Sequence, residues 1–171
     1  MPEPSFPPGS VGLHPALVRN SGYLLSRLGW FAARHFSQHL ADIGLTPRVW
    51  GALNVLDAEG PVSQQQLGRA IGMDPSSVVG TIDELESQGL VERRPHPSDR
   101  RAHALWITPA GQDILARGRQ RARAAQDELL GVLSTAEREQ LHDFLLRLAI
   151  GADKIGKPEL TARPENHRDA S

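Results

Sequence analysis

At 171 residues and a formal net charge of −1, the chain has room for one domain, or one domain with an appended dimerisation element. Apolar residues make up 39% and aromatics only 5%, with Leu, Ala and Val dominating, a balance that favours helices over a β-sandwich. The absence of cysteine excludes a disulfide framework, a zinc–thiolate site and a cysteine redox switch, and no apolar run approaches the ~18 residues of a membrane span.

The N-terminus, Met1-Pro2-Glu3-Pro4, has neither a basic n-region nor an apolar h-region, so the expected location is cytoplasmic, with no membrane partner. Residues 1–12 are rich in Pro, Gly and Ser and read as a flexible arm. Leu17, Leu24, Leu28, Phe31 and His35, then Phe36, Leu40 and Ile43, keep a 3–4 spacing that predicts one long helix over about 14–42, stopped by Gly44. Thr46-Pro47 opens a second helix with an N-cap and Pro at N1, with Leu45 and Trp50 at the positions of a hydrophobic staple. Its buried face is Val49, Leu53 and Leu56, and Gly60-Pro61 ends it.

Ser63-Gln64-Gln65-Gln66 has the form of a capping box and opens a short helix whose Leu67, Ala70 and Ile71 face inward. After the Gly72-Met73 turn, Asp74-Pro75 starts another helix, with Val78, Val79, Ile82 and Leu85 as its apolar set and Gly89 as its end. Two short helices joined by a Gly-bearing turn form a helix-turn-helix pattern. The periodicity then changes. Leu90–Arg93 and Ala102–Ile107 read as strands around the turn residues Pro95, Pro97, Ser98 and Asp99. A hairpin directly after a recognition helix is a wing. Thr108-Pro109 opens a helix running to about Leu133, and the capping box Ser134–Glu137 opens the last one, whose Leu141, Phe144, Leu145 and Leu148 form a stripe ending near Gly151. The tail from about Ala152 is polar and expected to be disordered.

The bulk charge argues mildly against a nucleic-acid binder, but the segment 93–101 carries four Arg against one Asp. Met73–Ser77, Leu85–Arg93, Pro97–Arg101 and Leu105–Gly111, followed by Leu133–Leu141, resemble the MarR family in order and spacing over roughly 15–150. That resemblance implies an obligate dimer, binding to double-stranded DNA at a two-fold symmetric operator, and often relief of binding by a small ligand. The expected fold is mainly α: a winged helix-turn-helix of about six helices plus a β-hairpin wing. The winged unit spans 45–108, a helical dimerisation region comes from 13–44 and 109–151, and the ends are the arm at 1–12 and the tail at 152–171.

The expected DNA-reading residues on the recognition helix are Pro75, Ser76, Ser77 and Thr81, at the end that enters the major groove, where a helix N-terminus also favours phosphate. Gly80 stands where many family members carry a basic residue, and Asp83 and Glu84 follow, so more of the affinity is expected from Arg69 and the wing. By the resemblance, Arg101 enters the minor groove braced by Asp99, while Arg94, His96 and Arg100 meet phosphate. Arg117, Arg119, Arg121 and Arg123 alternate around a helix and read as a solvated surface.

Similar proteins bind aromatic acids or phenols beside the DNA domain, which implies Trp30, His35, His39, Arg48 and Trp50 as effector candidates. His35 and His39 lie i, i+4 on one helix face and are also a possible metal pair, but no carboxylate or third histidine is placed by sequence to complete a site. Ordinary packing is the leading reading of the pair, and no metal or cofactor is expected. No nucleophile elbow, P-loop, dinucleotide fingerprint or HExxH motif supports an enzyme. The rival reading is a winged-helix module that binds protein, which the mild acidity and Gly80 allow.

Overall fold

The computed structural model describes residues 13–95 and 103–155. Seven helices and one hairpin occur among the described residues: α1 Pro15–Val18, α2 Ser21–Ala41, α3 Pro47–Glu59, α4 Gln64–Ala70, α5 Pro75–Ser87, β1 Val91–Pro95, β2 His103–Ile107, α6 Pro109–Leu129 and α7 Thr135–Ile155. The expected single first helix is two. Asn20 takes an extended conformation between α1 and α2, and its side chain accepts from the Tyr23 amide at 3.0 Å. A short polar side chain that caps the next turn competes with helix continuation, and apolar periodicity alone does not register that competition.

The remaining caps follow the local sequence. The Thr46 hydroxyl accepts from the Val49 amide at 3.2 Å. Ser63 and Gln66 form the reciprocal capping box, at 3.2 and 2.8 Å. Gly72, at φ 67°, makes the turn from α4 to α5, and Gly89, at φ 68°, turns α5 into β1; both take the left-handed conformation that glycine reaches without a Cβ penalty. β1 and β2 pair antiparallel with Val91 opposite Ile107, Arg93 opposite Leu105 and Pro95 opposite His103. The Leu105 amide also donates to the Val62 carbonyl at 2.8 Å, tying the hairpin to the segment between α3 and α4.

The chain divides after Leu129 into two compact units. In the first, Leu53, Leu56, Leu67, Ile82, Leu85, Leu105 and Leu115 are fully buried, so α3, α4, α5, the hairpin and α6 share one core. Glycine permits a close helix approach: a Cβ at Gly118 of α6 would lie 2.7 Å from Trp50 Cδ1 and 3.1 Å from Leu45 Cδ1. Leu45 and Trp50, the staple pair, thus converge on α6. The expected solvated arginine run is partly engaged. Arg119 reaches Asp57 at 2.7 Å and Asn54 at 3.3 Å, and Arg121 stands 3.7 Å from Asp42.

The second unit is built on α7, opened by a capping box in which Ser134 N donates to Glu137 Oε2 at 2.8 Å. The helix continues past Gly151 to Ile155. A lone helical glycine costs about 1 kcal/mol against alanine without ending the helix. Phe144, Leu145, Leu146, Leu148 and Ile150 are exposed along it. Among the described residues no helix is long and apolar enough to cross a membrane.

Candidate nucleic-acid interface

Asp74 organises the tip of α5. Its carboxylate accepts the Ser76 and Ser77 amides at 3.1 and 3.0 Å and their hydroxyls at 2.6 and 2.5 Å. These bonds, the two hydroxyls first, hold the Asp74 carboxyl far below its ordinary value of 3.8. The expected phosphate site at this helix N-terminus is therefore already filled by an internal anion. Ser76 and Ser77 spend their donors on Asp74 and turn only their acceptor lone pairs outward.

One side of α5 is exposed: Pro75, Ser76, Val79, Gly80 and Asp83. Two sequence expectations change here. Thr81 is 1% exposed, and its hydroxyl donates to the Ser77 carbonyl at 2.9 Å and lies 3.7 Å from Met73 Sδ. It faces the core and cannot reach a groove. Val79, expected inside, is 41% exposed. The i, i+4, i+8 row 75–79–83 already separates it from Val78, Ile82 and Leu85. A Cβ at Gly80 would meet nothing within 4 Å, so packing does not demand the glycine. Arg69 is exposed at the end of α4 and lines, with Gln64, Gln65, Gly68, Met73, Pro75 and Val78, the groove between the two helices.

The acidic residues of α5 have a partner that the sequence did not single out. Arg93 of β1 reaches Glu86 at 2.5 Å and Asp83 at 3.4 Å, fastening the hairpin to the recognition helix and neutralising part of its negative face. Arg94 points elsewhere, pairing with Glu92 and lying 5.6 Å over the Trp106 ring. His96, Asp99, Arg100 and Arg101 lie outside the described residues. The base of the hairpin is latched to α6. Thr108 donates its amide to Leu90 O at 3.0 Å and its hydroxyl to Gly89 O at 2.7 Å, and accepts from the Gly111 amide at 3.0 Å.

The five effector candidates do not form one site. Trp30 is 68% exposed and packs under the Arg34 guanidinium at 5.9 Å. It stands ~140° around α2 from His35. Arg48 is exposed on α3. Trp50 is packed edge-on to Phe36 at 5.2 Å, against Gly118, and its indole Nε1 is buried without a hydrogen-bond partner. His35 and His39 are brought together, ring centroids 4.7 Å apart, with Phe31 stacked on His35 at 5.9 Å. The carboxylate that the sequence did not supply is Glu128 of α6, whose Oε2 lies 3.2 Å from Nε2 of each histidine.

The sequence model of the MarR family matches residues 43–102, the stretch from the turn before α3 into the hairpin. A protein of Thauera aromatica, assigned as transcriptional regulator of the hcr operon, is 34% identical over 137 residues, 80% of this chain and 82% of that protein. Among solved structures, CouR of Rhodococcus jostii RHA1 with p-coumaroyl-CoA bound is 33% identical at a TM-score of 0.67, covering 78% of this chain and 94% of its own. The repressor CouR on a 23-mer DNA duplex matches at 31% identity and a TM-score of 0.71, with the same coverage. With the helix-turn-helix, the hairpin and their mutual contacts in this order, the chain belongs to the MarR family of transcriptional regulators.

Proposed function

We propose that this chain is a homodimeric, sequence-specific DNA-binding repressor that reads a two-fold symmetric operator and is released by a small aromatic acid or its thioester. The observation that carries the DNA reading is the exposed face of α5, small and uncharged at Pro75, Ser76, Val79 and Gly80, with its acidic end tied through Arg93 to a basic hairpin. Such a face enters a major groove closely, and the wing then lies over the adjacent minor groove, where narrow walls attract arginine. Residues 45–108 form the DNA-reading part, and 13–44 with 109–151 the dimerisation part. Exposed apolar side chains on α2 (Leu25, Leu28, Phe31) and along α7 need a partner surface, which a second copy supplies. The role is regulatory rather than enzymatic, and is exercised in the cytoplasm, where the operator lies.

The release ligand is inferred from CouR, crystallised with p-coumaroyl-CoA. The test of the DNA role is a gel-shift titration of Arg101→Ala against a footprinted operator at fixed salt. Loss of a groove-inserted arginine costs about 1–3 kcal/mol, or roughly 5–150-fold in affinity, with the dimer intact by gel filtration. Unchanged affinity removes Arg101 from the interface. Binding with no salt dependence would favour the protein-interaction reading instead.

A further inference from the structure

We infer that His35, His39 and Glu128 form a binding site for a divalent transition-metal ion of the zinc class, held between α2 and α6. The two histidines stand one helical turn apart, so both imidazoles leave the same face of α2, the spacing with which helices present paired nitrogens to zinc. Glu128 reaches the same point from α6, and the three donor atoms lie within 4.8 Å of one another. Each histidine Nε2 is 3.2 Å from the same carboxylate oxygen, Glu128 Oε2. Ligands of a tetrahedral ion bound at about 2.0–2.1 Å are about 3.3 Å apart, so both nitrogen-to-oxygen separations already suit such an ion.

A simple ion pair accounts for only part of this arrangement. His39 makes a hydrogen bond to Glu128, but His35 Nε2, equally near, is off the hydrogen-bonding line and is buried without a partner. In this arrangement Glu128 Oε2 meets the donor direction of His39 and not that of His35. A cation between the three atoms satisfies both nitrogens through their lone pairs and the oxygen through its charge. The histidine side chains are only 21% and 15% exposed while Glu128 is 59% exposed, so the site is walled on the α2 side and open on the other. Two imidazoles and one carboxylate leave the fourth position to water, the pattern of an open zinc site. The donor set suits borderline ions such as Zn²⁺, Co²⁺ and Ni²⁺ better than Mg²⁺ or Ca²⁺, which prefer all-oxygen shells.

The test uses the full-length protein, with purification tags removed and after chelator treatment, titrated with Co²⁺ and then Zn²⁺. The expected result is a visible ligand-field spectrum saturating at one Co²⁺ per protomer and bleached by Zn²⁺. Zinc at hundredfold excess over Kd should raise the melting midpoint by about 5–10 °C. His39→Ala and the near-isosteric Glu128→Gln should each weaken binding at least tenfold while keeping wild-type circular dichroism, and His142→Ala, on α7, should bind as wild type. No saturable cobalt spectrum, or binding that survives both His39→Ala and Glu128→Gln, would overturn the proposal.

Discussion

Three glycines on two helices allow one substitution, Gly→Ala, to be followed with opposite signs. At Gly80 the added methyl meets open space, so the change reports only the loss of backbone freedom in the unfolded chain and should stabilise by about 0.5–1 kcal/mol. At Gly118 the same methyl would sit 2.7 Å from Trp50 Cδ1, a side chain already packed on Phe36. Overpacking of this kind costs about 1–3 kcal/mol, leaving a net loss near ~1 kcal/mol. At Gly111 it would lie 2.2 Å from the Leu90 carbonyl oxygen and 2.8 Å from Ile107 Cγ1. The first of these is backbone and cannot turn aside, so the start of α6 must retreat by about 1 Å to restore van der Waals contact. That retreat strains both Thr108 bonds, to Leu90 O and Gly89 O. At about 1 kcal/mol for each bond, plus overpacking, the net cost is about 2–4 kcal/mol. At about 2–4 °C per kcal/mol for a chain of this size, the expected melting shifts are about +2 °C for Gly80→Ala, −3 °C for Gly118→Ala and −10 °C for Gly111→Ala. The assay is thermal unfolding by circular dichroism at matched protein concentration, because a dimer's midpoint depends on it. A Gly111→Ala protein melting within 2 °C of wild type, or above Gly80→Ala, would refute the reasoning.

The tip, the hairpin and the exposed helix face give further expectations. Because Asp74 is held below its ordinary value in the folded chain, its stabilising contribution is complete above the unfolded value of 3.8 and fades as pH falls below it. Urea unfolding should therefore separate wild type from Asp74→Asn by a constant gap at pH 5–7 that narrows below about pH 4. Arg93→Ala should change stability by about 1 kcal/mol or less, since Arg93 and Asp83 are exposed and Glu86 is only partly buried. It should nonetheless weaken operator binding several-fold by exposing Asp83 and Glu86, with Asp83→Asn and Glu86→Gln added to it restoring most of the affinity in gel shifts. Val79→Ala should leave folding intact and reduce, in a binding-site selection, the preference for thymine at one position of each half-site, the methyl contact being of order 1 kcal/mol.

Local chemistry explains which parts of the structure the sequence announces. Thr46, Ser63, Asp74, Thr108 and Ser134 each cap an amide within three residues of themselves, so these five helix starts can be read from their own caps. The same locality hides Asn20, whose capping role cuts an otherwise continuous apolar rhythm. Thr81 looks like a groove-facing hydroxyl in a row of small polar residues, yet its position among Val78, Ile82 and Leu85 turns it inward, and its hydroxyl is satisfied by its own helix. The partners of Asp83, Glu86 and His39 are different in kind. Arg93 is brought to α5 by the turn at Gly89, and Glu128 lies 89 residues beyond His39, so only the packing of α2 on α6 assembles the cluster. Acidic residues on a helix proposed to face DNA look unfavourable until the arginine that covers them is placed.

The close seating of Gly118 on Trp50 also has a mechanical side. α6 is one unbroken rod, pinned near its start by the Thr108 latch and reaching Glu128 at its other end. At 1.5 Å per residue, the Gly118 contact stands ~10 Å from Gly111 and ~15 Å from Glu128, like the fulcrum of a balance beam. A displacement of ~3 Å at the Glu128 end, transmitted without bending, would move the Gly111 end ~2 Å the opposite way. The base of the hairpin and the exit of the recognition helix hang on that shorter arm.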